Sequence, residues 1–373
     1  MKNEQKFINE CIRIFLGKTD YSIISKMCKF INFTVLSRLI SEHEIEGIFY
    51  KIYLEGVFDK INLPSAEVEI WKKVSGKNLL LNAMHEKEAL RIVDKLTKNK
   101  IDYFYIKGFS TRKRCHDYDF ISTSTDIDFF IKKEDYEKVK NILISDGYTI
   151  PMDYYINTIS NRLTFDEFEK RENEICFVKK EEALRYIIDL QWDIINNDKT
   201  DIFHKIYNLD VFYQFKVKDT IEVAKKKVNV FPIELEFINM AFHYAFHHGF
   251  IGIKWLIEIC LFIKKYENDI NFDYILKNSN YNLRKILGII LMLAFEYNFR
   301  KKIGKEQKII FCIDKFLPYE YLFYKSMTIK LFNRKTSGKL LRYIKILLPY
   351  KLSGRFAVIN ENLKFIMKNN FKK

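Results

Sequence analysis

Apolar residues recur at helical spacing through Trp71, Val74, Leu79, Leu81, Ala83, Leu90, Val93 and Leu96, which predicts a long helix after Pro64-Ser65. Ser65 is its expected N-cap. The chain ahead of it reads as helical too. Near residue 99 the period changes. Asp102-Tyr103-Phe104-Tyr105-Ile106 is short and aromatic and runs into Lys107-Gly108, the pattern of a strand entering a turn. Asp126 to Ile131 is a second predicted strand. Glu134 to Ser145 is an amphipathic helix with Tyr136, Val139, Ile142 and Leu143 on one face, and Gly147 sits where a helix C-terminal glycine belongs. Glu174 to Val178 and Arg185 to Ile194 are two further strands, expected to pair as a hairpin. From about residue 196 helices return. Pro232 opens one and Gly249 closes it, a second runs from Ile253 to about Tyr266, and Pro318 and Pro349 mark later breaks. The prediction is an α+β protein: a small mixed sheet with helices at 99–195, flanked by helical regions at 1–98 and 196–373.

Composition narrows the class. The chain has 373 residues, 48% of them hydrophobic, enough for a large core, and 30% charged, ordinary for a soluble protein. The net charge of +15 suits polyanionic partners such as nucleotides, RNA or DNA. The abundance of Lys, Ile, Asn, Phe and Tyr gives an equally good account of that charge as compositional drift, and no Arg-rich block is present. Six cysteines, Cys11, Cys28, Cys115, Cys176, Cys260 and Cys312, stand singly with no C-x-x-C pair, against a zinc ribbon or a disulfide framework. The longest uninterrupted apolar run, Ile286 to Phe295, is too short to span a bilayer. With no secretory signal at the N-terminus, a soluble cytoplasmic protein with no membrane partner is expected.

The chemistry concentrates on the predicted strands. Side chains alternate along a strand, so Asp126 and Asp128 share a face while Ile127 enters the core. Two carboxylates that close repel unless a cation lies between them, and Mg²⁺ favours such oxygens. A lone D-x-D is most often a solvated strand end. Three features raise its weight here. Lys107-Gly108 lies upstream after a strand, where a glycine lets backbone N–H groups approach a phosphate, with the Ser110 and Thr111 hydroxyls nearby. Asp189 sits in Ile187-Ile188-Asp189-Leu190-Gln191-Trp192, an apolar setting that is poor for an unpartnered charge. Finally, the order along the chain is glycine turn, acid pair, third acid.

That order resembles the nucleotidyltransferase superfamily of the DNA polymerase β type. More narrowly, the chain is similar to the bacterial group labelled uncharacterised nucleotidyltransferases. The resemblance is carried by Ile106-Lys107-Gly108, Asp126-Ile127-Asp128-Phe129-Phe130-Ile131, Gly147-Tyr148 and Asp189-Leu190-Gln191-Trp192, then by His243, His247, Trp255 and Glu258 downstream, and it covers roughly residues 70 to 300. The chain departs from that pattern in four places. Phe109 follows the glycine, the spacer from Gly108 to Asp126 is long, Ser122-Thr123-Ser124-Thr125 stands where an arginine is common, and Gln191 replaces a histidine.

The resemblance implies a nucleotidyltransferase-type sheet and a two-metal transfer of a nucleoside monophosphate from an NTP, ATP first among them, with release of pyrophosphate. Asp126, Asp128 and Asp189 would hold Mg²⁺ or Mn²⁺, with Asp189 also a general base. Lys107, Gly108 and Ser110 would contact the triphosphate. Arg112, Lys113 and Arg114 are expected in a solvated loop, with triphosphate contact as the alternative. His243 and His247, four apart on one helix face, are read as contacts for nucleotide or acceptor, with core packing or a shared metal as alternatives. Trp255 either stacks on a base or packs in the core. The acceptor is open between a small molecule, a protein side chain and a tRNA end. Two other functions compete: a degenerate module that binds nucleotide or RNA without turnover, and a tRNA-modifying toxin.

Overall fold

The computed structural model describes residues 3–156, 165–181, 184–194, 217–248 and 252–297. Gly249, Cys312, Pro318 and Pro349, singled out above, lie outside the described residues. The protein divides into two compact units. The first is drawn from the described residues up to Lys72 and from Phe237 onward, the second from Lys73 to Glu236.

In the first unit, four short helices, α1 (Asn3–Phe15), α2 (Ser22–Cys28), α3 (Phe33–Glu42) and α4 (Glu46–Leu54), are followed by the start of the long α5 (Ser65–Lys98). Ser65 is the first helical residue rather than the cap, a one-residue difference at an end where boundaries are soft. Trp71, fully buried, packs on Phe49 and Phe58 with ring centroids 5.3 and 6.0 Å away.

The rest of α5 and the second unit build the sheet. Along the chain come β1 (Tyr103–Tyr105), α6 (Lys107–Cys115), β2 (Ile127–Ile131), α7 (Tyr136–Ser145), α8 (Met152–Ile156), α9 (Phe165–Arg171), β3 (Glu174–Glu181), β4 (Leu184–Gln191), β5 (Asp219–Val223) and β6 (Lys226–Val230). The four-stranded sheet has the order β1-β2-β4-β3. β2 is antiparallel to β1 and parallel to β4, and β3 and β4 pair antiparallel, as the sequence predicts. The register sets Asp128 opposite Asp189 and Asp189 opposite Cys176.

Alternation gives the sheet two different faces. Tyr103, Tyr105, Ile127, Phe129, Ile131, Ile175, Phe177, Ile188 and Leu190 form the core with Ala89, Ile92, Val93 and Leu96 of α5 and Tyr136, Val139 and Leu143 of α7. The other face carries Asp128, Asp189, Gln191 and Glu174. The helix α7 ends on Gly147 at φ +87, where the Tyr148 N–H donates back to the Leu143 carbonyl at 3.0 Å. The Tyr148 hydroxyl donates to Glu88 of α5, so this turn is tied to the long helix.

Two stretches differ from the pattern-based expectation. Residues 107–115 are the helix α6, not a loop, and Arg112 and Arg114 are buried and partnered rather than solvated. Arg112 donates to Asn82 at 2.8 Å and Arg114 to Asp219 at 2.7 Å. The region after 196 is also not helical throughout, since β5 and β6 form a hairpin beside β1. Its turn residues Ala224 and Lys225 adopt φ of 47° and 67°, the left-handed backbone a two-residue hairpin needs, without the Asn or Gly that usually announces it.

Helices return at α10 (Ile233–Phe242), whose last turn widens into a π-helical turn over His243–His247, then α11 (Ile253–Tyr266), α12 (Phe272–Asn278) and α13 (Tyr281–Tyr297). Among the described residues no helix is long and apolar enough to cross a membrane. Because Phe129 stacks on Tyr105 at the centre of the core, Phe129→Ala is expected to destabilise the fold by about 3–5 kcal/mol in a urea titration. A loss below about 1 kcal/mol would contradict this placement of the core.

Candidate metal centre

Asp126, Asp128 and Asp189 each offer a carboxylate oxygen within 4.8 Å of the others. Asp128 and Asp189 are brought together by the parallel β2–β4 pair. Asp126 stands one residue ahead of β2, where the Ser124 hydroxyl donates to it. Asp128 is 3% exposed, while Asp126 and Asp189 are partly open to solvent. One acid is therefore sealed and two face outward, the arrangement a bound ion needs if it is also to meet a substrate.

The glycine turn is shaped by the approach of the loop before Asp126. A Cβ on Gly108 would lie 2.6 Å from the Ser124 Cβ and 2.8 Å from its Oγ. Only glycine lets Ser124 close over α6 and reach Asp126. That loop is the long spacer of the sequence. Asn82 of α5 donates to the carbonyls of Asp119 and Ser122, Asn78 to that of Phe120, and His85 bonds the Ser124 backbone.

Lys107 lies against two of the acids. Its ammonium lies 3.0 Å from Asp128 Oδ1 and 3.7 Å from Glu174 Oε2. The Ile106 N–H donates to the Asp128 carbonyl, extending the β1–β2 ladder by one step, and Lys107 then takes φ +53. That left-handed backbone is costly for a lysine, about 1–3 kcal/mol, and such strain clusters at functional sites. Ser110 is fully buried, and its hydroxyl has no hydrogen-bond partner among the described residues. Thr111 donates to Glu236 at 3.3 Å.

The structure adds two residues to the acids. Gln191, fully buried, donates Nε2 to Asp128 Oδ1 at 2.8 Å. Glu174 is set opposite Gln191 by the β3–β4 register and is a fourth carboxylate beside Lys107. Strand parity was the available signal for both: Gln191 is two residues from Asp189, and Glu174 pairs with Gln191.

Charge in this cluster is poorly compensated. Burial pushes the Asp128 carboxyl up to about 7; Lys107 opposes the rise, and Asp126 and Glu174 add to it. Burial also raises Asp189 well above the ordinary carboxylate range, with Glu174, Asp128 and Asp126 adding their repulsion. Lys107 is raised in turn: burial works against the ammonium, but Asp128, Glu174 and Asp189 outweigh it. The Cys176 thiol hydrogen-bonds Asp189 and is pushed up, chiefly by burial.

His243 and His247 belong to the first unit. Their rings stack with centroids 4.9 Å apart, His248 Nε2 lies 2.9 Å from His243 Nε2, and His248 stacks on Trp255 at 4.3 Å. His247 is exposed, and Trp255 is half-buried.

The model of the family described as "Uncharacterised nucleotidyltransferase" matches residues 31–298, more than half of the chain. The chain belongs to this nucleotidyltransferase family. The match contains the glycine turn, all three aspartates and the histidine turn. Nucleotidyl transfer from an NTP is thus the reaction class of the family. A search of curated proteins finds no match.

The raised carboxylates give a pH dependence with a definite sign. An unfolded aspartate titrates near ~4. Between about pH 4 and 7 the folded chain retains the Asp128 proton that the unfolded chain has lost. The folded state then binds more protons, so metal-free stability falls as pH rises through that window. In EDTA the melting temperature is expected to drop between pH 5.5 and 8. Mg²⁺ should restore more of it at pH 8 than at pH 5.5, and Asp189→Asn should raise it at pH 8 in EDTA. A Mg²⁺ effect equal at both pH values would contradict this electrostatic account.

Proposed function

We propose that this chain transfers a nucleoside monophosphate from an NTP, ATP first among candidates, to an acceptor hydroxyl, using Mg²⁺ or Mn²⁺ held by Asp126, Asp128 and Asp189. The observation that carries the reading is the carboxylate triad, its three oxygens within 4.8 Å on one sheet face. The donor set fits hard divalent ions: all ligands are carboxylate oxygens, and among the described residues the Lys107 ammonium alone is too little charge for the acids around it. When bound, such ions neutralise the triphosphate and lower the pKa of the attacking hydroxyl.

The chain's own residues supply the rest. Asp126, Asp128 and Asp189 would hold the metals. Asp189, whose carboxyl is raised, accepts the acceptor's proton. The acceptor oxygen then bonds to the α-phosphorus as the bond to the bridging oxygen breaks, and pyrophosphate leaves. The strained turn at Lys107-Gly108 and the buried Ser110 hydroxyl support a phosphate-binding role for these three residues. His243 and His247 are proposed as contacts for the nucleotide or the acceptor, supported by the exposure of His247 and by the widened turn that carries them. The acceptor is a small molecule, a protein side chain or a tRNA end.

One observation favours a second reading. Lys107 sits on Asp128, the position a metal needs, as it would in a relative that binds nucleotide without turnover. Incubation with α-labelled ATP, Mg²⁺ and each acceptor class, including the protein itself, separates the two. Labelled product that disappears in Asp126→Asn, with a loss of about a thousandfold or more, supports transfer. Tight ATP binding with no pyrophosphate released under any condition would leave only the binding module.

A further inference from the structure

Asp128 Oδ1 accepts from two donors of different character. Gln191 reaches it at 2.8 Å from the end of β4 and is 0% exposed. Lys107 reaches the same oxygen at 3.0 Å, with 14% of its side chain exposed and a strained backbone beneath it. We propose that these two donors have separate jobs: Gln191 is the permanent positioning residue for the metal-binding carboxylate, and Lys107 is a resident counter-ion that a divalent cation displaces. This inference rests on the metal reading above and adds what the metal-free site does before an ion arrives.

The Gln191 side follows from hydrogen-bond chemistry. A carboxylate oxygen accepts only from the amide N–H, since the opposite amide orientation would set Oε1 against it. That fixes Gln191 and, with it, the Oδ1 oxygen of Asp128. The amide is retained at an energetic disadvantage. Its Oε1 is buried with no hydrogen-bond partner among the described residues, a state that costs about 1–3 kcal/mol, whereas an apolar side chain of the same size would avoid it. Burial on all sides also denies Gln191 any route away from Asp128. Residues that hold a metal ligand in this way typically change metal affinity by about 10–100-fold when removed.

The Lys107 side follows from charge and access. Asp128, Glu174 and Asp189 act on the Lys107 ammonium, so it is stabilised where it lies and relieves part of the repulsion among the acids. A divalent cation does the same with twice the charge. The two compete for Asp128, and Lys107, with 14% of its side chain exposed against none of Gln191, is the donor with access to solvent. Once displaced, the ammonium remains at the head of α6, beside the turn proposed to hold the phosphates. The lysine thus keeps the empty site from flying apart electrostatically and becomes a phosphate contact when the ion arrives.

The two roles predict opposite effects on metal binding. Mn²⁺ alone is the probe, titrated into the full chain at pH 7.5, with free Mn²⁺ read by electron paramagnetic resonance and folding checked by circular dichroism. Lys107→Met should bind Mn²⁺ more tightly than the wild type. Gln191→Met should bind it about tenfold or more weakly. A purely structural role for both residues would weaken binding in both variants. Wild-type protein that binds no Mn²⁺ would overturn the metal reading itself. Wild-type binding with Lys107→Met unchanged or weaker would overturn the counter-ion role alone, and an unchanged Gln191→Met would overturn the positioning role. Should Gln191→Met fail to fold, Gln191→Asn, whose amide is one methylene short of Asp128, carries the same expectation.

Discussion

Four carboxylates on one face of a small sheet repel one another across a few ångströms, and among the described residues a single ammonium, that of Lys107, is placed with them. Asp126, Asp128 and Asp189 have oxygens within 4.8 Å of each other, and Glu174 lies 3.7 Å from the Lys107 nitrogen that also touches Asp128. Such a cluster is unfavourable to folding by itself. It persists because the opposite face of the same strands is continuous apolar core. Ile127, Phe129, Ile188 and Leu190 are buried with essentially no exposure, and they fix the strand register that makes the acids converge. Hydrophobic burial on one side thus holds electrostatic repulsion on the other, and a divalent cation is the natural relief.

The same constraint organises the neighbouring segments. The loop from His116 to Asp126 is held to α5 by asparagine side chains bonded to its carbonyls, so Asp126 is delivered at a fixed point although it lies outside the strand. Gly108 is needed because Ser124 closes against it. Tyr148, Glu88, Arg91 and Asp146 bind the end of α7 to α5, which holds the apolar backing of the sheet in place. These contacts are remote from the chemistry, yet each limits how far the acid-bearing strands can separate.

Much of this was legible in the sequence. Alternation alone put Asp126 and Asp128 on one face, and the apolar setting of Asp189 marked it as a charge in want of a partner. The paired strands around 174–191, the helix at 136–145 and its Gly147 end follow from period and glycine placement. What stayed hidden depends on tertiary contact. Arg112 and Arg114 look like solvated loop residues until Asn82 and Asp219, distant in sequence, are seen to receive them. The β5–β6 hairpin has alternation at Ile221, Val223, Val228 and Val230 but turns through Ala224-Lys225, which carries no turn signature. Lys107 reads as a phosphate ligand from its place after a strand, and only the folded chain shows its ammonium on Asp128.

Every role proposed for these residues requires that the acid face hold a divalent ion. The most direct measurement is anomalous diffraction from crystals of the full chain soaked in Mn²⁺. The expected result is anomalous density within coordination distance of the Asp126, Asp128 and Asp189 carboxylates, absent in Asp128→Asn. Crystals with ordered aspartates and no anomalous peak among them, at Mn²⁺ concentrations that saturate exposed carboxylate sites elsewhere, would contradict it.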